Sequence, residues 1–225
     1  MNAITVCVDY SDLLEFSIVP SARIFDRVVV VTSVEDKKTR ELCARHDNVV
    51  CYRTDAFYRN GASFNKGLAL EEGFDLLGRG GWICVFDSDI IMPWNMREFF
   101  AGIRMGKLYA PYRRIVQDIR TFDPKEPWEK HFIFQDLEFA GYFQLFHADD
   151  PAIRNKRPWY GIDWKHAGGC DSFFQFHWDP KDKVRLDFSV LHLGETGINW
   201  HGRTTKFIDG SEPEKVGERR RAHVL

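Results

Sequence analysis

The sequence predicts an α/β fold: a sheet with helices on both faces, in a single compact domain. Three observations carry the prediction. Four apolar runs, ITVCVD (4–9), DRVVVVTS (26–33), NVVCYRT (48–54) and WICVFD (82–87), alternate with helix-like segments. That alternation implies parallel pairing through right-handed crossovers. The second run is apolar throughout, as a strand buried on both faces must be. Finally, 225 residues, 44% of them hydrophobic, are enough to bury a sizeable core.

The elements follow in order. ITVCVD is rich in β-branched residues and ends at Asp9, and a helix-like stretch covers 11–18. After DRVVVVTS a helix is expected over about 35–46, with Ser33 as its cap and Asp36 in its acidic first turn. SFNKGLALEEGFDLL (63–77) sets Phe64, Leu68, Phe74 and Leu77 at helical spacing. The glycines of GRGG (78–81) then turn the chain into the fourth strand. Further on, extended runs recur at LYAPY (108–112), FAGYFQLFH (139–147) and VRLDFSVLHLG (184–194). A short helix is expected at SFFQFHW, and 113–137 reads as a polar loop or excursion.

Composition narrows the function classes. A net charge of -2 does not suggest general nucleic-acid binding. The basic clusters Arg113–Arg114, Arg154–Arg157 and Arg219–Arg221 read as solvated surface. Five cysteines without a C-x-x-C pair favour a reducing compartment. MNAITVCVDYSD lacks the basic-then-apolar pattern of a secretory leader, and no apolar run is long enough to cross a bilayer. A cytoplasmic location and no membrane span are expected.

The most informative stretch is GWICVFDSDIIMP (81–93), where an apolar run ends in two aspartates. Ligands of parallel sheets sit at the carboxyl ends of the strands, which puts Asp9, Thr32, Thr54, Asp87 and Asp89 on one rim. Residues i and i+2 of a strand point the same way, so Asp87 and Asp89 are expected to reach one point. Two carboxylates there repel unless a cation neutralises them. A hard divalent ion does so and also bridges to a diphosphate. The plainer alternative is one capping aspartate and one solvated aspartate.

In this context Phe86-Asp87-Ser88-Asp89 resembles the D-x-D hallmark of the nucleotide-sugar-dependent glycosyltransferases of the GT-A fold. Three other segments extend the resemblance. ASFNKGLALEEGF (62–74) looks like the family's helix that begins near an Asn-x-Gly, here Asn65, Lys66 and Gly67. GGCDSFF (168–174) is similar to its Gly-Gly segment opening a helix near the acceptor, and LHLGETGINWHGR (191–203) to its late histidine-bearing segment. The resemblance implies a GT-A-like, Rossmann-type mixed sheet. It implies a domain over 1–212, with a nucleotide-binding half at 1–93 and an acceptor-binding half at 94–212. A polar tail, 213–225, follows.

The resemblance also implies roles. Mn2+ or Mg2+ is expected on Asp89, Asp87 and His192, with His201 the competing histidine. Asp9, Tyr10, Thr32, Asn65, Lys66 and Asp87 are expected near the nucleotide, and Arg203 near the leaving diphosphate. Asp171 is expected to act as general base, against the plainer reading of a residue in the first turn of a helix. One or two of Trp159, Tyr160, Trp164 and Trp178 are expected to line the acceptor pocket. The chain departs from the family in two places. Thr32, with Glu35 and Asp36 close behind, stands where an acidic base-contacting residue is frequent, and Cys170-Asp171 replaces a Glu-Asp pair.

The expected function is metal-dependent sugar transfer from a nucleotide diphosphate sugar, UDP-linked by expectation, to an acceptor hydroxyl. The acceptor stays open: a saccharide, a lipid-linked sugar, a protein or a hydroxylated base in DNA. An inverting course is favoured and a retaining one stays open. Two rivals remain. One is a phosphatase of the haloacid dehalogenase type, whose D-x-D normally closes the first strand. The other is a non-catalytic module that binds a nucleotide sugar.

Overall fold

A computed structural model of the chain describes residues 1–134, 139, 141–195 and 197–213. The Arg219–Arg221 cluster and the tail beyond residue 213 lie outside the described residues. The first half follows the expected alternation: β1 (Asn2–Val6), α1 (Ser11–Ile24), β2 (Arg27–Ser33), α2 (Lys37–Cys43), β3 (Val49–Thr54), α3 (Lys66–Leu77) and β4 (Trp82–Phe86). The second half contributes β5 (Ile90–Ile91), β6 (Leu108–Ile115), β7 (Ile133–Phe134), β8 (Phe143–His147), α4 (Cys170–Gln175) and β9 (Lys183–His192).

Among the described residues these strands form one mixed sheet in the order β3-β2-β1-β4-β8-β6-β9-β5, with β7 on β6. β1 pairs in parallel with both β2 and β4, and β2 with β3. β8 then docks antiparallel on β4, Phe143 opposite Phe86. β6 and β9 run parallel, with a register shift after Pro111. The parallel strands are sealed on both faces: Val28–Val31 and Ile83–Phe86 have no accessible surface.

Local departures have local causes. α1 runs six residues past its expected end because Pro20, Ser21 and Ile24 continue its buried face. α2 is capped by Asp36 rather than Ser33, since the Asp36 carboxylate accepts the Thr39 N–H at 3.0 Å. In the expected 113–137 loop, β6 extends through Arg113 and Arg114, which pair with β7, and residues 135–137 lie outside the described residues.

Of the four aromatics among which one or two are expected at the acceptor, three are core. Trp159 and Tyr160 are fully buried and Trp178 nearly so. Tyr160 stacks on Phe174 at 4.3 Å, and Trp159 meets Phe74 and Phe146 edge-on. Their polar tips are satisfied or sealed inside, so the rings cement α3 and α4 to the sheet. Trp164 is exposed but packs over Gly161 and Gly169, outside the pocket described next.

Candidate active site

β4 ends where its alternation also ends. The Ile90 N–H donates to the Asp87 carbonyl at 3.1 Å, closing a turn around the two aspartates. That turn is held on three sides. The Asp87 N–H bonds the Tyr142 carbonyl, the Leu193 N–H bonds the Asp89 carbonyl, and Ser17 Oγ donates to the Ser88 carbonyl at 2.6 Å. An open cavity of about 470 Å³ lies over it, a size suited to a small-molecule ligand. Its lining joins the ends of β1 and β4 to residues from β6, α4, β9 and the 194–202 loop.

Both aspartates line this cavity, and each has its own partner there. Asp87 Oδ1 accepts from Lys66 Nζ at 2.8 Å, and the same ammonium reaches Asp171 Oδ2 at 3.0 Å. Asp89 Oδ2 stands 3.4 Å from His192 Nε2. Asp89 Oδ1 and Asp171 Oδ1 are buried without a hydrogen-bond partner. Two glycines make room for these carboxylates. A Cβ on Gly141 would sit 2.0 Å from Asp171 Cγ, and one on Gly194 would sit 2.2 Å from Asp89 Oδ2.

The electrostatics follow from this pairing. Burial alone would lower the Lys66 pKa, but the Asp171 and Asp87 carboxylates outweigh it and raise it well above the usual lysine value. Burial raises the Asp87 carboxyl against the pull of Lys66, helped by the nearby Asp171 and Asp89 charges. At Asp89 burial also acts upward, but His192 reverses it and holds the carboxyl below its ordinary value. Burial and the Asp89 charge push the Tyr10 phenol up.

Arg113 Nη1 lies 3.3 Å from His192 Nδ1. A guanidinium only donates, so Nδ1 is the acceptor and a neutral His192 carries its proton on Nε2, facing Asp89. In this arrangement His192 is a hydrogen-bond partner of Asp89. It can offer Nε2 to a cation only with the proton on Nδ1 and Arg113 turned aside. Among the described residues no group of three or more His, Cys, Asp or Glu side chains forms a ready-made metal cage. Of the expected trio, Asp87 pairs with Lys66, while Asp89 stands beside His192.

The other expected contacts sort themselves by location. Tyr10 and Lys66 line the cavity. Thr32 does not: it is fully buried and its hydroxyl donates to Asp36 at 3.2 Å. Asn65 is committed to capping α3, taking the Leu68 N–H and donating to the Ile162 carbonyl. Asp9 stands beside the cavity at φ 62°, its N–H on Asp36. His201 lies outside, bonded to Ser63 at 2.7 Å.

Arg203 is the clearest correction. It is buried, and all five of its N–H donors have acceptors: the Asp12 carboxylate twice and the carbonyls of Asp9, Thr205 and Lys206. No donor is left for a diphosphate. The arginine of the cavity is Arg113, held over the Tyr142 and Phe134 rings at 4.7 Å. Sequence reading placed it on a solvated surface, and nothing local in YRRI distinguishes it. Trp200 was also missed as a site residue, although it stands in NWHGR. It lines the cavity, half exposed, with His166 stacked nearby.

No protein-family model matches the chain, and no curated protein matches it. Solved structures do. Mannosyl-3-phosphoglycerate synthase from Rubrobacter xylanophilus is 12% identical with a TM-score of 0.51, over 86% of this chain and 67% of that one. Glucosyl-3-phosphoglycerate synthase from M. tuberculosis is 12% identical with a TM-score of 0.50, over 88% of this chain and 73% of that one. The inositol-1-phosphate CTP transferase from T. maritima is 9% identical with a TM-score of 0.50, over 85% of this chain and 88% of that one. At such identities the likeness concerns the fold, and the fold of this chain is the GT-A type common to nucleotide-sugar glycosyltransferases and nucleotidyltransferases.

Proposed function

We propose that the protein transfers a glycosyl group from a nucleoside diphosphate sugar to an acceptor hydroxyl, with a divalent cation at Asp89. One observation carries this reading: the cavity at the strand ends is too acidic to hold a diphosphate unaided. Its lining bears Asp87, Asp89, Asp171 and Glu195 against Lys66 and Arg113, and Lys66 already serves two carboxylates. The unpartnered Asp89 Oδ1 is the kind of hard oxygen donor that Mn2+ or Mg2+ takes. Such ions commonly bind through one or two carboxylates plus substrate phosphates, so a three-residue cage is not required. When bound, the ion supplies a Lewis acid for the diphosphate oxygens.

The chain's own residues divide the remaining work. Asp89 would hold the cation, and His192 would add its Nε2 only with the proton on Nδ1 and Arg113 turned aside. Arg113 adds positive charge at the leaving diphosphate. Asp171 takes the proton from the acceptor hydroxyl. As it does so, the hydroxyl oxygen bonds to the anomeric carbon, and the carbon–oxygen bond to the diphosphate breaks, its electron pair leaving with the phosphate. Trp200 offers a flat face to whatever presents that hydroxyl. A UDP donor and an inverting course remain the expectation.

Nucleotidyl transfer, the chemistry of some structures with this fold, is less well served. A triphosphate is usually cradled by backbone N–H groups of a glycine-rich loop. Here the β1–α1 turn, Val8-Asp9-Tyr10, has no glycine, and the Asp9 N–H is bonded to Asp36. No observation favours the phosphatase reading, since the D-x-D closes the fourth strand.

The test is a screen of nucleoside diphosphate sugars for Mn2+-dependent thermal stabilisation, because a ligand of the native state raises its apparent stability. Asp89→Ala should abolish the metal-dependent shift while leaving the metal-free Tm close to wild type. A shift that survives Asp89→Ala contradicts the assignment. Release of pyrophosphate from a nucleoside triphosphate, in place of nucleoside diphosphate from the sugar donor, points to nucleotidyl transfer.

A further inference from the structure

We infer that Lys66 is a positioning residue that clamps Asp171 and Asp87 together, so that the proton acceptor and the cation-binding turn share one rigid frame. The inference rests on the reading of Asp171 as base and assigns Lys66 a role other than nucleotide contact. Its ammonium is almost fully buried and bridges the two carboxylates at 3.0 and 2.8 Å. The two residues flanking it keep it from swinging away. On one side Asn65 caps α3 and ties it to the Ile162 carbonyl at 2.6 Å. On the other, Gly67 lies so close to the Gly161 carbonyl that a Cβ would come within 1.9 Å of its oxygen. The Asn65-Lys66-Gly67 triplet thus anchors a cation at a set position instead of offering groups to a ligand.

Asp171 needs such a partner. It is in the first turn of α4, where its carboxylate is held through Oδ2 by Lys66 and faces Gly141 with no Cβ in the way. Without Lys66 the carboxylate is free to rotate toward solvent and loses the counter-charge that lets it coexist with Asp87. The clamp also makes its two ends interdependent, because a shift of the aspartate turn moves the base.

The experiment measures nucleoside diphosphate release to water from the sugar donor that gives the largest Mn2+-dependent thermal shift, for wild type, K66M, K66R, D171N and K66M/D171N. For K66M, kcat should fall by about 100-fold with the donor KM within about threefold of wild type. The Mn2+-dependent shift should persist in K66M, and K66R should regain at least part of the lost kcat. The double variant should turn over no more slowly than D171N alone, because both changes disable one unit. The clamp is overturned if K66M loses the donor-dependent shift together with turnover, if K66M keeps wild-type kcat, or if the two losses add. D171N at wild-type rate with K66M impaired overturns the base reading and the clamp through it. A wild type that releases no diphosphate from any sugar donor overturns both.

Discussion

The two halves of the molecule meet their polar groups in different ways. In the half up to residue 93, the strands are sealed and the helix starts are capped by side chains close by. Asp36 takes the Thr39 N–H and hydroxyl three residues on, and Asn65 takes the Leu68 N–H. In the half beyond it, side chains reach far along the chain. Arg203 bonds Asp12, His192 meets Asp89, and Asp171 shares Lys66 with Asp87. The first half is a scaffold that local patterns can build. The second brings Asp171, His192 and Arg113 to that scaffold's edge, and each of these meets a partner far along the chain.

The sharpest way to break this contrast is at Arg203. As a brace joining the 199–208 segment to α1, it leaves Asp12 without its buried partner when replaced. R203M should therefore lower unfolding stability by about 3 kcal/mol, measured by urea denaturation. If stability were unchanged and donor binding lost, Arg203 would return to the diphosphate and the division of labour would be wrong.

A smaller effect on stability, with a larger one on chemistry, is expected at Gly141. The Cβ of G141A displaces the Asp171 carboxylate, whose atoms it would otherwise overlap. Stability should fall by about 1 kcal/mol, while nucleoside diphosphate release should fall by about tenfold or more. Loss of stability with normal turnover would show that Asp171 can move freely and has no fixed post.

The mildest test is a pH dependence confined to the second half. Burial, aided by Lys156, lowers the His177 pKa from its usual 6.5. Its Nδ1 faces Lys156 Nζ and its Nε2 the Trp159 carbonyl, both at 3.2 Å, an arrangement that suits the neutral ring. The folded protein therefore binds fewer protons at this site than the unfolded chain. Stability should decline as pH drops below 6.5 and level off below the depressed folded value. H177Q should flatten that portion of the Tm-against-pH curve, and a curve unchanged by H177Q would remove His177 as the cause.

Much of the scaffold was legible because its signals are local. Apolar runs and helical spacing located the four parallel strands and α3, while the mixed character of the sheet was implied only by the resemblance to the GT-A fold. The aspartates were legible as site residues because strand ends in such sheets face ligands. Their partners were not. The resemblance placed Arg203 near a phosphate, but it sits amid five acceptors gathered from two distant parts of the chain, residues 9–12 and 205–206. Arg113 read as surface, although β9 and the Tyr142 ring enclose it. One or two of Trp159, Tyr160, Trp164 and Trp178 read as pocket-lining because WYGIDWKHAGG around the first three is polar overall. Burial is decided ring by ring, however, and the rings of Trp159, Tyr160 and Trp178 turn inward.

By itself, then, the amino-acid order determined the layered α/β architecture and the presence of acidic groups at the rim, since periodicity and turn chemistry act over a few residues. Only the tertiary structure decided which charges meet. Electrostatic pairing depends on distances of a few ångströms between residues as far apart in the chain as Lys66 and Asp171, and no local pattern encodes those distances.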